Sequence, residues 1–288
     1  MPSASQKTEA HNILISPRSS SFVMSIGYNC TVQVVSDFDF TLSKFTENGE
    51  RCSGCHNVLE EGGVLPEDFK VKARGLRDHY FPIETNPQLS IEEKIPIMVE
   101  WWTQAHALLS SYPLTKTGIS EMVQNSTAKL RDGCPWLFDQ LDAKNIPLLI
   151  FSAGVGDVIE EVIRQQSQFH KNMRVVSNYI DFDEEGKMIG FKGDLIHVYN
   201  KNESSIHDSD YFKNLSHRHN VILIGDSLGD LHMADGATGV KNKLKIGFLN
   251  VKVEESLELY KKKFDIVIVQ DETLDVVNAL MRSILQTE

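Results

Sequence analysis

The stretch "VVSDFDFTLSKFTENGERCSGCHN", Val34 to Asn57, decides how the chain is read. Its first half ends an apolar, β-branched run on two carboxylates, Asp37 and Asp39, two residues apart. Its second half sets Cys52, Cys55 and His56 in the C-x-x-C-H spacing associated with c-type haem attachment. The two halves ask for different chemistry. "TVQVV", just upstream, has the composition of a buried strand and stops at Asp37. If strands of this kind recur, separated by helices, Asp37 sits at the edge of a parallel sheet and the first half prevails.

They do recur. "IPLLIFSAG" reads as strand and turn, "DVIEEVIRQQSQF" as an amphipathic helix, "MRVVSNYIDF" as a strand and "NVILIGDSLGD" as strand and turn. "LKIGFLN" and "FDIVIVQD" read as strands, "VEESLELYKKK" and "TLDVVNALMRSIL" as helices. Strands joined through helical crossovers make a parallel sheet covered on both faces. Between the first strand and the others, "PEDFKVKARGLRDHY", "SIEEKIPIMVEWWTQAHALLSS" and "GISEMVQNSTAKLRDG" look helical, and Ser90 with Glu93 forms a capping box. The fold class is therefore α/β: a Rossmann-like parallel-sheet core with an inserted helical cap domain. The expected boundaries are a Ser-rich, poorly ordered tail over 1–25, a core over 26–60 and 138–288, and a cap over 61–137. Residues 43–63, rich in Gly and charge, read as loops or a hairpin.

Composition narrows the function classes. The chain has 288 residues, 41% hydrophobic and 24% charged, with a formal net charge of −11. So acidic a surface is ill suited to a nucleic acid polymer, whose binding draws on phosphate neutralisation. No apolar run approaches a membrane span, and the start lacks the apolar core of a secretory signal. Four cysteines (Cys30, Cys52, Cys55, Cys134) are few for a disulfide framework. A reducing, cytoplasmic setting and a monomer follow as expectations. Cys52, Cys55 and His56 lack a nearby fourth ligand in a finger-like spacing, so the segment reads as a polar loop with reduced thiols.

In open parallel sheets ligands sit beyond the carboxyl ends of the strands. Three such ends carry polar clusters: "DFDFT", "SAGVGD" and "GDSLGD". Together they suit phosphoryl transfer. Asp37 is placed to attack phosphorus, and Asp39 to protonate the leaving oxygen and later deprotonate water. The approach of an anion to a carboxylate calls for a cation, and Mg²⁺ takes oxygen ligands. Asp37 and Asp226 can supply carboxylates and Asp39 its carbonyl. Ser152, with the amides of Ala153 and Gly154, can hold phosphoryl oxygens. A lysine should complete the balance, and the residues alone leave Lys192 and Lys201 both open. Taken singly, D-x-D is a solvated turn, "SAG" a plain turn, and Asp230 in "GDSLGD" an ordinary helix cap. Their joint occurrence at three strand ends, in this order, outweighs those readings.

"DFDFTL", "FSAG" and "IGDSLGD" resemble motifs I, II and IV of the haloacid dehalogenase superfamily. "DFDFTLSKF", "RCSGCHN", "EEKIPIMVEWW", "SNYIDFDEEG", "GFKGDLIHVYNK" and "GDSLGDLHMADG" narrow the resemblance to the cytosolic 5′-nucleotidase III family, from Val34 to the C-terminus. The Ser-rich start departs from it, since that family usually has a helix before the first strand. The resemblance implies a Mg²⁺-dependent nucleotidase acting through an aspartyl-phosphate on 7-methylguanosine monophosphate, CMP and UMP. It implies Asp37 as nucleophile, Asp39 as acid and base, Ser152 as a phosphate ligand, and a metal held by Asp37, Asp39 and Asp226. It selects Lys201 as the site lysine, Glu84 as the base-recognising carboxylate and Trp102 as the aromatic over the base. Trp rather than Tyr there, with Ala105 nearby, suits a cationic methylated base. His56 and Phe45 either face the nucleoside or pack. A phosphatase for another small monoester, such as phosphoserine, is the alternative on the same core.

Overall fold

A computed structural model of the chain describes residues 13–15, 31–86, 88–201, 215–235, 237 and 239–286. Eight strands form one sheet in the order β1-β10-β9-β8-β2-β5-β6-β7. They are β1 (Ile13–Ile15), β2 (Val32–Ser36), β5 (Leu148–Val155), β6 (Met173–Phe182), β7 (Met188–Lys192), β8 (Asn220–Gly225), β9 (Asn242–Leu249) and β10 (Ile266–Val269). The pairs from β10 through β6 are parallel, and only the edge strands β1 and β7 run antiparallel. The continuous apolar runs read from the sequence are the strands buried on both faces, β2 and β8 at every residue. β2 lies at the centre, with Val34 opposite Ile222 on one side and Leu148 on the other.

After β2, a two-strand hairpin β3 (Thr46–Glu47) and β4 (Glu50–Arg51) leads into α1 (Cys55–Glu61). The C-x-x-C-H segment, expected as a loop, thus opens a helix. α2 (Glu67–Glu84) and α3 (Ile91–Ser110) pack on each other, and the Ser90–Glu93 capping box is formed. Tyr80, Met98 and Trp101 make a small cluster of their own between them. Phe69 of α2 and Leu109 of α3 reach the main core, and α4 (Lys116–Asn125) joins it more fully through Ile119, Met122 and Val123, against α6 (Gly156–Gln166). The segment 61–137 expected as one cap therefore contributes to two packing clusters, with α2 and α3 as the outer layer. α5 (Cys134–Ala143), α7 (Val253–Lys263) and α8 (Asp275–Leu285) complete the helices named here.

Two local expectations differ from what is found. "SAG" was expected as a turn, yet β5 runs through it to Val155 with a register irregularity after Phe151. Within the tail expected over 1–25, Ile13–Ile15 pairs with β10, Ile13 opposite Ile268. Three consecutive apolar residues are enough to extend a sheet edge. The remainder of that tail, and Cys30, lie outside the described residues.

Candidate active site

Asp37 follows the last residue of β2, and its amide donates to the Ile224 carbonyl of β8 at 2.9 Å. This fixes the nucleophile candidate at the carboxyl edge of the two central strands. The chain then turns tightly. The Phe38 carbonyl accepts from the amides of Thr41, Leu42 and Ser43, and Phe40 takes a left-handed φ of 60°. Arg131, fully buried, holds that turn: its guanidinium donates to the carbonyls of Phe40 at 2.7 Å and Thr41 at 2.9 Å. Asn250 adds a bond from its Nδ2 to the Phe40 carbonyl.

Lys201 Nζ lies 2.5 Å from Asp37 Oδ1 and 2.8 Å from Asp230 Oδ1, all three side chains buried. Lys192, the other lysine left open by the sequence, is exposed and faces Asp181. Asp230 goes beyond its reading as a plain cap. Its second oxygen accepts from the amides of Asp226 and Ser227 and from the Ser227 hydroxyl, all within 3.1 Å. It closes the turn after β8 and anchors the lysine at once. Gly225 is required there, since a Cβ would come within 2.5 Å of the Asp230 side chain.

Carboxylate oxygens of Asp37, Asp226 and Asp230 lie within 4.8 Å of one another. Such crowding favours the neutral acids. Burial first, opposed by Lys201, pushes Asp37 up to about 7. Burial and then Asp37 and Asp230 raise Asp226 well above the carboxylate range. On Lys201 burial acts downward, but Asp230 and Asp37 outweigh it and the ammonium is held more firmly. The donor set fits a hard divalent cation. Asp230 has both oxygens engaged in hydrogen bonds, which leaves Asp37 and Asp226 as the available carboxylates.

Asp39 lies under the start of α1, where its Oδ1 accepts from the Cys55 amide at 2.9 Å. A carboxylate is favoured at a helix N-terminus, yet burial dominates and its pKa is raised, against Cys55 and His56. Ser152 is buried, and its Oγ accepts from the Gly154 amide. At Gly154 a Cβ would meet the Cys55 Sγ at 2.9 Å and Asp39 Oδ2 at 3.1 Å, so only glycine lets the two loops approach. Asn178 bonds to the carbonyls of Ala153 and Gly154 and to both backbone groups of Ile196. It ties the Ser152 turn to the segment that leads to Lys201.

A cavity of about 650 Å³ opens from Asp39 and Gly54 towards α3, where Trp102, Ala105 and His106 line it with His56 of α1. The His56 and Trp102 rings stack at 4.7 Å between centroids. The Trp102 Nε1, His56 Nε2 and His106 Nε2 atoms are buried without a hydrogen-bond partner among the described residues. Burial, then His56, pulls His106 down to about 3, so its imidazole is neutral. Trp101, next to Trp102 and with its ring 4.9 Å away, reaches the cavity wall too but stacks on Tyr80 inside the cap cluster. Glu84 does not line this cavity. It ends α2 on the Lys201 side, its carbonyl accepting from Lys94 at 2.8 Å. Burial pushes its carboxyl up to about 7, against Lys94 and Lys201. Phe45 packs on Phe40 at 5.4 Å rather than lining the cavity. Cys52, Cys55 and Cys134 are free, buried thiols.

Sequence reasoning missed Arg131, Asn178 and Asn250, which carry no motif, and undervalued Asp230. Its signal was the second Asp of "GDSLGD", four residues after Asp226.

Comparison with known proteins bears on this arrangement. The family model described as pyrimidine 5′-nucleotidase (UMPH-1) matches residues 40–285. A mouse protein named 7-methylguanosine phosphate-specific 5′-nucleotidase is 54% identical over 254 residues, 88% of this chain and 85% of that protein. The human protein of that name is 53% identical, with the same shares covered. The crystal structure of cytosolic 5′-nucleotidase IIIB bound to cytidine superposes with a TM-score of 0.85 at 33% identity, covering 97% of this chain and 95% of that one.

Proposed function

Because the chain belongs to the pyrimidine 5′-nucleotidase (UMPH-1) family and is a 5′-nucleotidase, we propose that it hydrolyses 7-methylguanosine monophosphate, CMP and UMP. The observation that carries this is the cavity running from Asp39 to Trp102. It leads from Asp39, two residues beyond the lysine-bridged Asp37, to an aromatic end where three ring nitrogens have no partner among the described residues. A buried, unpaired polar atom is unfavourable unless a ligand or water satisfies it, and a nucleobase offers both donors and acceptors.

The reaction divides into two steps. An Asp37 carboxylate oxygen attacks phosphorus and the bond from phosphorus to the 5′ oxygen breaks, while Asp39 gives its proton to that oxygen. Water then attacks the aspartyl-phosphate, Asp39 takes the water's proton, and the acyl-phosphate bond breaks to release inorganic phosphate. The burial that raises Asp39 suits it to start as the acid. Lys201, fixed by Asp230, offsets charge on Asp37 and the phosphoryl oxygens. Ser152 and the amides of Ala153 and Gly154 receive the remaining oxygens. Asp37 and Asp226, with the Asp39 carbonyl, would hold Mg²⁺, which supplies charge neutralisation at the phosphoryl group. Trp102 would stack on the base, and Glu84 would accept from its exocyclic amine. The outer helices α2 and α3 act as the cap, and the protein works as a cytoplasmic monomer. No helix among the described residues is long and apolar enough to cross a membrane.

Phosphate release from a panel of 7-methylguanosine monophosphate, CMP, UMP, AMP and phosphoserine, with Mg²⁺, tests the reading. Turnover of the first three well above AMP and phosphoserine is expected. Phosphoserine as the best substrate would overturn the nucleotide assignment.

A further inference from the structure

We propose that Arg51, on the hairpin that follows the nucleophile, is an additional phosphate-binding residue of this site. The proposal rests on the nucleotidase reading above and extends it to a residue that no motif marks.

Arg51 lies on β4, two strands of chain beyond Asp39, and lines the same cavity as Asp39, Phe40 and Gly54. Its guanidinium lies in the corner formed by two rings set edge to face, 4.0 Å from the centroid of Phe45 and 4.5 Å from that of Phe40. Among the described residues its side chain takes part in no hydrogen bond or ion pair. Every N–H of the fork is therefore open, while the ring faces restrict where the fork can go. An arginine held this way has surrendered much of its rotamer freedom before a ligand arrives. The two rings that hold it come from the nucleophile loop, Phe40, and from the hairpin itself, Phe45. Phe40 is also the residue whose carbonyl Arg131 and Asn250 grip, so the corner is referenced to the end of β2.

Electrostatics give the fork a target. Asp226 stands near enough to Arg51 to favour its charged form, although burial acts first and lowers its pKa. Its charge therefore reaches the phosphate end of the site rather than the base end. There Asp37, Asp226 and Asp230 crowd three carboxyl groups around the ammonium of Lys201. A phosphomonoester arrives close to doubly charged at neutral pH, its second pKa being about 6. One divalent cation would offset the charge of the substrate alone, so a further cation beside Asp39 would favour binding. Arg51 is the exposed, unpaired cation beside Asp39 that meets this need, and a planar fork suits phosphate oxygens bidentately. A solvated surface arginine would have no reason to lie against two rings at the wall of the cavity that holds Asp39.

The test compares the parent with Arg51→Gln, Arg51→Lys and Phe45→Leu. Calorimetry in Mg²⁺ measures binding of inorganic phosphate and, separately, of cytidine, and steady-state kinetics give KM and kcat for CMP. Arg51→Gln should weaken phosphate binding by roughly tenfold, equivalent to about 1.4 kcal/mol, with KM rising in step and by more than kcat falls. Cytidine binding and the melting temperature should stay at parent values, because the side chain is exposed and contacts no core residue. Arg51→Lys should recover part of the loss, keeping charge without the fork. Phe45→Leu should fall between, keeping the fork but losing one face of the corner. Unchanged phosphate affinity in Arg51→Gln overturns the proposal. So does a loss of cytidine affinity as large as that for phosphate, which would put the guanidinium on the sugar or base. A parent that binds phosphate but hydrolyses no nucleotide refutes the nucleotidase reading and leaves the phosphate result for Arg51 to stand or fall by itself.

Discussion

The phosphate site and the base cavity beside it are built by different means. At the phosphate site Asp37 follows β2, Ser152 lies within β5, Asp226 and Asp230 come from the turn after β8, and Lys201 comes from the segment after β7. Neighbouring strands fix one another through the ladder, as the bond from the Asp37 amide to Ile224 shows. At the base end the groups come from helices, His56 from α1 and Trp102 and His106 from α3, and they pack rather than hydrogen-bond. The first is polar and tied together by hydrogen bonds and the Lys201 bridge. The second holds three unpaired nitrogens and two stacked rings that a base must part or slide against. Chemistry is thus separated from selection: the core end can serve any phosphomonoester, while the helical end chooses which one enters.

The largest expected effect tests that separation at its polar pole. Asp37→Asn should lower turnover of every substrate in the panel by at least about 10³-fold, leaving their order of preference untouched. The fold should survive, because the change removes one of three crowded carboxylates that burial already disfavours. Turnover within tenfold of the parent, with a normal melting curve, would sink the covalent route.

Asp230→Asn comes next and probes the residue that the sequence undervalued. Asparagine keeps an oxygen for the amides of Asp226 and Ser227 but leaves Lys201 with Asp37 alone. Breaking a buried pair costs up to about 3–5 kcal/mol of stability, and loss of one electrostatic contact to the reacting group lowers kcat by on the order of 10²-fold. Equal stability and equal kcat in this variant would show that Lys201 needs no second anchor.

The contrast between the two ends also explains what could be read in the chain. β2, β5, β8 and β10 were legible because strands buried on both faces leave continuous apolar runs, β6 and β9 because shorter apolar runs remain in them, and Asp37 and Asp226 stand where two of those runs stop. Lys201 was not legible from spacing, since the segment before it has no period. Its place depends on Asn178 gripping Ile196, a contact between residues 18 apart in different local structures. Arg131 was invisible for a similar reason: a lone arginine in "AKLRDG" looks solvated until the fold wraps five acceptors around it. The cap's outer pair α2 and α3 could be read, but α4 could not be assigned to the core. An amphipathic helix reveals that it has a partner, not which one. The helix begun by Cys55 was masked by a cysteine spacing that suggested another purpose.

Trp101 and Trp102 bring the comparison down to adjacent residues. Trp101→Ala should destabilise the protein by about 3–5 kcal/mol, since it empties a buried site against Tyr80 and Met98. It should leave the ratio of kcat/KM for 7-methylguanosine monophosphate to that for CMP near the parent value. Trp102→Ala should do the reverse. A cationic base on indole is worth about 0.5–2 kcal/mol, so that ratio should fall by roughly 2- to 30-fold at 1.4 kcal/mol per tenfold. A ratio that moves with Trp101→Ala and not with Trp102→Ala would exchange their roles.

The smallest effect concerns Glu84, which ends α2 beside Lys201 instead of lining the cavity with Trp102. Burial raises its carboxyl from 4.5 to about 7, against Lys94 and Lys201. Between those values the folded protein keeps a proton that the unfolded chain has released. Stability therefore falls as pH rises from 4.5 towards 7, because the unfolded state binds fewer protons across that window. Glu84→Gln carries no such proton, so its melting temperature should decline less than the parent's between pH 4.5 and 7 in the absence of nucleotide. Recognition has the opposite sign. Only the ionised carboxylate gives a cationic base a charge-assisted partner, so the parent's preference for 7-methylguanosine monophosphate over CMP should grow as pH climbs through 7. The variant's preference should be flat over the same range. A flat melting difference would mean that Glu84 is ionised throughout, and a preference that still grows with pH in Glu84→Gln would assign the titration to another group and leave base selection to the aromatic end alone.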